Sequence, residues 1–248
     1  MTRDWDAATY DRVSEPQLEW ARSVLERLPL RGDETVVDAG CGSGRATKLL
    51  LERLPRGHVI AVDSAPSMVE RAREALGDRA TVLQADLSEL TLPERVDAIF
   101  SNAVFHWIAD HDRLFERLLA VLEPGGRLIA QCGGAGNVAD FLAVARAVSD
   151  QPPYAEHLAG WIGPWNFADA EETAARLERA GFTEVETWLA SSSVVPADPA
   201  SFIRTVCLGP HLEQLPDDLH ASYVEEVLGR SGPRLEYVRL NIAARRHA

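Results

Sequence analysis

The sequence predicts an α/β protein, a doubly wound sheet carrying a small helical cap. Three observations predict it. Short apolar runs alternate with amphipathic helical stretches through the first half of the chain, as parallel strands joined by crossover helices require. One strand runs into three alternating glycines, Gly40, Gly42 and Gly44, and then into a helix. Aspartates Asp38, Asp63 and Asp86 stand at three successive strand ends.

In chain order, strands are expected over 35–40, 58–64, 80–86, 96–103 and 127–133. Helices over 46–54, 66–76 and 112–122 carry apolar residues three and four apart, the spacing of a helix laid on a sheet. Residues 123–126, Glu-Pro-Gly-Gly, stop the third helix and turn into the next strand. Beyond Gly133 a helix is expected near 138–148, then a Pro- and Trp-rich stretch over 151–167, then a helix over 170–180 ended by Gly181. Extended runs over 185–195 and 235–245 complete the sheet. Helical stretches over 198–207 and 217–228, with an N-terminal helix over 17–28, are expected to lie over its open edge. The division that follows is one domain, 1–248. Its core is residues 30–135, 170–195 and 235–248, and its cap is 1–29, 150–169 and 196–234. No internal repeat or long linker argues otherwise.

Composition narrows the partners. The chain has 248 residues, 46% hydrophobic and 25% charged, with 25 Lys and Arg against 38 Asp and Glu, a formal net charge of −13. Such a surface repels nucleic-acid phosphates and anionic membranes. No apolar run is long enough for a membrane helix and the N-terminus has no signal pattern, so a cytoplasmic location is expected. Cys41, Cys132 and Cys207 form no CxxC pair, which argues against a disulfide framework or a zinc knuckle. His106 and His111 with Asp110 and Asp112 read as the start of a helix rather than a metal site.

The glycine loop lets backbone approach a ligand closely, but Arg45 stands where a dinucleotide fingerprint would place its third glycine. Asp63, followed by Ser64, is placed to accept from ribose hydroxyls, and Asp86-Leu87 to meet an adenine edge and face. Asp38 ahead of the glycines suits an amino group and a cationic sulfonium better than a phosphate. The competing account of each aspartate is helix capping.

In these segments, VVDAGCGSG (36–44), AVDSAPSMVERAR (61–73), Asp86-Leu87 and VDAIFSNAVFHWIADHDRLFERLLAVLEPGGRLIA (96–130), the chain resembles the class I S-adenosylmethionine-dependent methyltransferases. Within them it is most similar to the trans-aconitate methyltransferases, a resemblance that extends to Trp5 and Tyr10 and to the arginine-bearing last strand. It is more distantly similar to the juvenile hormone acid methyltransferases. The resemblance implies a mostly parallel, seven-stranded Rossmann-like sheet with one antiparallel strand, S-adenosyl-L-methionine along its C-terminal edge, and an acid substrate under the cap.

It further implies that backbone near Asn102 holds the methionine amino group, and that Gln17 and Trp107 hold a substrate carboxylate. An amide and an indole N–H suit that role. Tyr10 joins them through the N-terminal match. His106 is a substrate contact, or a general base if the acceptor is a hydroxyl. Arg204, Arg239 and Arg245 are candidates to meet a polycarboxylate, whereas Trp161 and Trp165 would line a pocket for a fatty or aromatic acid. The expected activity is methyl ester formation on a small carboxylic acid. Its rivals are hydroxyl or carbon methylation and a non-catalytic S-adenosylmethionine sensor.

Overall fold

The computed structural model describes residues 7–248. Two N-terminal helices, α1 (Ala7–Val13) and α2 (Glu15–Glu26), precede five strands with three crossover helices between them. They are β1 (Thr35–Ala39), α3 (Arg45–Glu52), β2 (His58–Asp63), α4 (Pro66–Leu76), β3 (Thr81–Gln84), β4 (Val96–Asn102), α5 (His111–Val121) and β5 (Leu122–Gly133). There follow α6 (Ala139–Ser149), α7 (Ala155–Leu158), α8 (Ala170–Ala180), β6 (Phe182–Val194), α9 (Pro199–Phe202), α10 (Gly209–Leu212), α11 (Asp217–Ser231) and β7 (Leu235–Arg246).

The seven strands form one sheet in the order β3-β2-β1-β4-β5-β7-β6, with β7 antiparallel to both neighbours. The order reverses between β1 and β4, which opens a crevice at their C-terminal ends. Both faces are covered, so the strands alternate between two cores rather than between core and water. Val36, Ala61, Ala98 and Phe100 pack on one face with residues of α2, α3 and α4. Val37, Val62, Ile99 and Leu128 pack on the other with α5 and α8.

Several boundaries move by a residue or two for local reasons. The Asp86 side chain accepts from Ser88 N–H at 2.8 Å and starts a single 3-10 turn, Leu87–Glu89, so β3 stops before it. Residues 123–126, expected to turn the chain from helix into strand, instead lie inside β5 as an irregularity, because Val96 pairs Leu122 while Ala98 pairs Arg127. Helix α8 matches its expected span, with Asp169 capping its start and Gly181 at φ 102° closing it.

Helix α2 departs from its expected place over the open edge. Ala21, Val24 and Leu25 are buried against Val36, Phe100 and Ile129, so α2 is a sheet-face helix. The cover over the edge is a third apolar cluster that includes Phe141 and Val148 of α6, Ile203, Tyr223 of α11, and Leu235 and Tyr237 of β7. Trp5 lies outside the described residues, as does the side chain of Tyr10.

Candidate active site

The glycine loop is pinned to β2, because Gly40 and Cys41 both donate to the Val62 carbonyl, at 2.8 and 2.9 Å. Gly40 has φ +82°, and a Cβ there would stand 2.1 Å from Val104 Cγ2, so only glycine allows the loop to pass this close to the segment after β4. Gly42, also at positive φ, has open space where its Cβ would lie, and its N–H donates to Asp63 Oδ2 at 2.9 Å. Asp63 Oδ1 accepts from Ala65 N–H at 2.9 Å. Ser64 N–H also bonds this carboxylate, which still has acceptor capacity left for a ligand hydroxyl. Burial pushes the Asp63 carboxyl up, against the pull of those N–H groups.

Gly40, Gly42, Asp63, Ser64, Asp86, Leu87 and Asn102 line one cleft of about 880 Å³ at the sheet's C-terminal edge. The structure thus brings together seven of the eight residues expected to hold the cofactor. Asp38 is the eighth, and it is not on the cleft wall. Its carboxyl is 1% exposed beneath the loop and accepts from Thr47 Oγ1 at 2.6 Å. Burial, with Asp63 adding to it, raises its pKa to about 7 in spite of the Thr47 bond. Asp38 is therefore a buried group behind the cleft and not part of its wall.

At the end of β4, the Asn102 amide donates to the Gln17 carbonyl at 2.9 Å and ties α2 to the cleft, while its buried Oδ1 has no partner among the described residues. Ala103 takes φ +63° and donates its N–H to the Gln131 carbonyl at 2.7 Å. A non-glycine residue held in that region marks a position over-determined by its surroundings. Ala103 and Trp107 line both the cleft and a second chamber, so the two cavities adjoin at these residues.

The second chamber is bounded by Gln17, His106, Trp107 and Arg239, all expected at the site. Arg239 is 3% exposed, with its guanidinium 4.2 Å from the Trp20 ring centroid and its Nε 3.4 Å from Gln131 Oε1. Gln17 is buried and its Oε1 has no partner among the described residues. His106 Nδ1 accepts from Gly133 N–H at 3.3 Å, so the neutral ring carries its proton on Nε2. Burial, followed by the Arg239 and His111 charges, pushes its pKa well below 6.5. A histidine in that state is a hydrogen-bond donor and a poor base.

Two arginines fall elsewhere. Arg204 is exposed, because the π-helical turn Ile203–Cys207 buries Ile203 and Cys207 and turns Arg204 outward. Arg245 pairs with Glu184 at 3.0 Å and lies opposite Arg127, at the other end of β5 from the chamber. Trp165 lines the chamber as expected, stacked on Phe167 with 8° between the rings, while Trp161 stands behind it, 4.7 Å from the His211 ring. His111 is tied to the Phe105 carbonyl at 2.9 Å.

Trp20, Phe167 and Tyr237 line the chamber without having been expected there. Trp20 had a signal, since it follows Gln17 by three residues and so shares its helix face. Tyr237 likewise precedes Arg239 by two on one strand and points to the same side. Phe167 sits in an irregular segment with no periodicity to betray it.

Known proteins match this arrangement. The family described as "Methyltransferase domain" matches residues 37–130, from β1 to β5. Similar curated proteins include a trans-aconitate 2-methyltransferase of Azoarcus sp. (strain BH72), 34% identical over 89% of this chain and 86% of that protein. Another, from Variovorax paradoxus (strain S110), is 32% identical over 90% and 87%. Among solved structures, an S-adenosylmethionine-dependent methyltransferase from Mesorhizobium loti superposes with TM-score 0.55 at 24% identity, covering 92% of this chain and 98% of that one. The Haemonchus contortus phosphoethanolamine N-methyltransferase 2 superposes with TM-score 0.62 at 17% identity, covering 93% of this chain and 53% of that one. Fold, glycine loop and relatives agree, and the chain belongs to the S-adenosylmethionine-dependent methyltransferases, in the family of the trans-aconitate 2-methyltransferases.

Proposed function

We propose that this enzyme forms a methyl ester on a small carboxylic acid. The observation that carries the proposal is His106, which lines the chamber next to Trp107, neutral and with Nδ1 already engaged. A hydroxyl or amine acceptor needs a base at that point, and a carboxylate does not, because its unperturbed pKa near 4 leaves it ionised at neutral pH.

The residues present fit the cofactor. Gly42 leaves an open cradle, Asp63 retains lone pairs for ribose hydroxyls, and the unpartnered Asn102 Oδ1 is an acceptor for an amino group. Ser64 would add to the ribose contact, Asp86 and Leu87 would take the adenine, and Gly40 would let the methionine portion lie against backbone. S-adenosyl-L-methionine, when bound, supplies a methyl group on a cationic sulfonium, and the acceptor oxygen takes that methyl as the carbon–sulfur bond breaks. Asp38, buried behind the glycine loop, would favour a cation over that loop when ionised. Arg239, Gln17, Trp107 and the His106 Nε2–H would orient the acid, with Tyr10 added through the N-terminal match. Their work is alignment and exclusion of water, a source of roughly 7–11 kcal/mol when reacting atoms are well placed.

The test is the pH dependence of kcat at saturating cofactor, across a panel of carboxylic acids that includes trans-aconitate. The expected profile is flat from about pH 6 upward, and His106→Gln, which keeps an N–H donor, is expected to retain activity within about tenfold. A loss near 1,000-fold, together with the disappearance of an ionisation from the wild-type profile, would make His106 a base and the acceptor a hydroxyl.

A further inference from the structure

We infer that Arg45 is a positioning residue: it clasps the junction of α1 and α2 to the glycine loop, and so holds in place the helix that carries Gln17 and Trp20 to the chamber. The inference rests on the reading above in one respect, that the chamber receives the acceptor.

Arg45 is the first residue of α3, directly after Gly44. In a dinucleotide fold a glycine at this point serves close packing of helix on strand. Here a long side chain leaves the loop instead, 30% exposed. Its Nη1 donates to the Asp11 carbonyl at 2.9 Å and to Ser14 Oγ at 3.0 Å, and its Nη2 donates to Glu15 Oε2 at 2.8 Å. One planar guanidinium thus spans the last turn of α1, the residue between the helices and the first residue of α2, which the single nitrogen of a lysine would not do. The Asp11 carbonyl is one of those left without a partner at a helix end.

Ser14 supports the same role. It stands at the N-cap position of α2 and is 2% exposed, yet among the described residues its side chain makes no cap bond to its own helix. An N-cap serine ordinarily accepts from its own first turn. This one accepts from Arg45 instead. Two more groups hold the same junction, since Ser43 Oγ donates to Asp11 Oδ1 and Arg71 of α4 pairs with Asp11 Oδ2 at 3.5 Å. The Arg45–Glu15 pair, being exposed on the Glu15 side, contributes little alone. The bonds to the Asp11 carbonyl and the buried Ser14 hydroxyl are charge-assisted and fix the junction.

From that junction α2 runs to the chamber. The Gln17 carbonyl accepts from the Asn102 amide at 2.9 Å, and Gln17 and Trp20 both line the chamber. The start of α2 is therefore anchored twice, by Arg45 beside the glycine loop and by Asn102 on the cleft wall, and both anchors come from the cofactor side. Arg45 itself lies off the cleft wall, so releasing it frees α2 without removing a cofactor contact.

The test is hydrogen exchange of the full chain with S-adenosylhomocysteine bound, read at the amides of residues 18–21. Calorimetry gives the S-adenosylhomocysteine affinity, and ester formation on the acid panel is measured in parallel. In Arg45→Ala these amides are expected to exchange about tenfold faster, with β1 and β4 unchanged, which general misfolding would not give. S-adenosylhomocysteine affinity is expected to stay within about threefold, and for an acid that is methylated KM is expected to rise about tenfold with kcat within about threefold. Arg45→Lys is expected to fall between the two proteins, and Ser14→Ala, which leaves the arginine in place, to speed the same amides about threefold. Unchanged exchange at 18–21 in Arg45→Ala and Ser14→Ala would overturn the inference. So would a loss of S-adenosylhomocysteine affinity beyond about tenfold, which would place Arg45 in the cofactor site. Faster exchange with no acid methylated would keep the clasp and remove the ester reading, whereas ester formed with exchange and KM unchanged would do the reverse.

Discussion

Asp38 shows how a single residue couples the site to solution conditions. Its pKa near 7 in the folded protein lies far above the 3.8 of an ordinary aspartate, chiefly because the carboxyl is buried. The folded protein thus holds this proton more tightly than the unfolded chain. The stability it contributes is full below about pH 4 and is lost as pH rises through about 7. A cationic ligand over the loop favours the ionised form. S-adenosylmethionine affinity is therefore expected to weaken several-fold as pH falls from 8 to 6, with proton release on binding at pH 6 to 6.5. Calorimetry in buffers of different ionisation enthalpy checks this, and Asp38→Asn is expected to reduce the release; equal release by the variant would assign the proton elsewhere. The sequence placed Asp38 at a strand end but could not tell cleft wall from loop support, because that depends on Thr47 reaching it from α3.

At the scale of elements, the connections after strands position the chemistry. Helix α5 begins at the cleft rim, where Asp110 lines the cleft and accepts from Arg113 N–H at 2.9 Å. Asp110→Ala removes an N-cap and is expected to cost about 1 kcal/mol. For a chain of this size that is a fall of about 2–4 °C in Tm, and an unchanged melting curve would show that the cap contributes nothing. The β-α units were legible because strands with two buried faces and helices with one leave strong periodic patterns. Helix α2 was legible as a helix but not as to place, since its apolar stripe of Ala21, Val24 and Leu25 fits a sheet face as well as a cap. The irregular segment that delivers Trp165 and Phe167 carries no period, and only tertiary packing shows that they reach the chamber.

The whole molecule sets two cavities side by side, with Ala103 and Trp107 in the walls of both. One lies along the sheet edge and presents aspartates and glycines; the other lies under the cover and presents one arginine among aromatic rings. Under the proposed function, an acid on one side of Ala103 and Trp107 would stand next to a methyl donor on the other. The cofactor side was readable from motifs because close backbone approach demands glycine and strand-end carboxylates at fixed spacing. The acceptor side was readable only in part. Gln17, the pair His106-Trp107 and Arg239 come from three distant stretches, and nothing in their spacing separates them from Arg204, which faces solvent. The most direct test of the account is the bond that the transferred methyl group enters. With methyl-labelled S-adenosylmethionine and the acid panel, the account predicts product label released as methanol by mild base. Label that stays fixed to the product after the same treatment would place it on a hydroxyl, nitrogen or carbon and contradict carboxylate methylation.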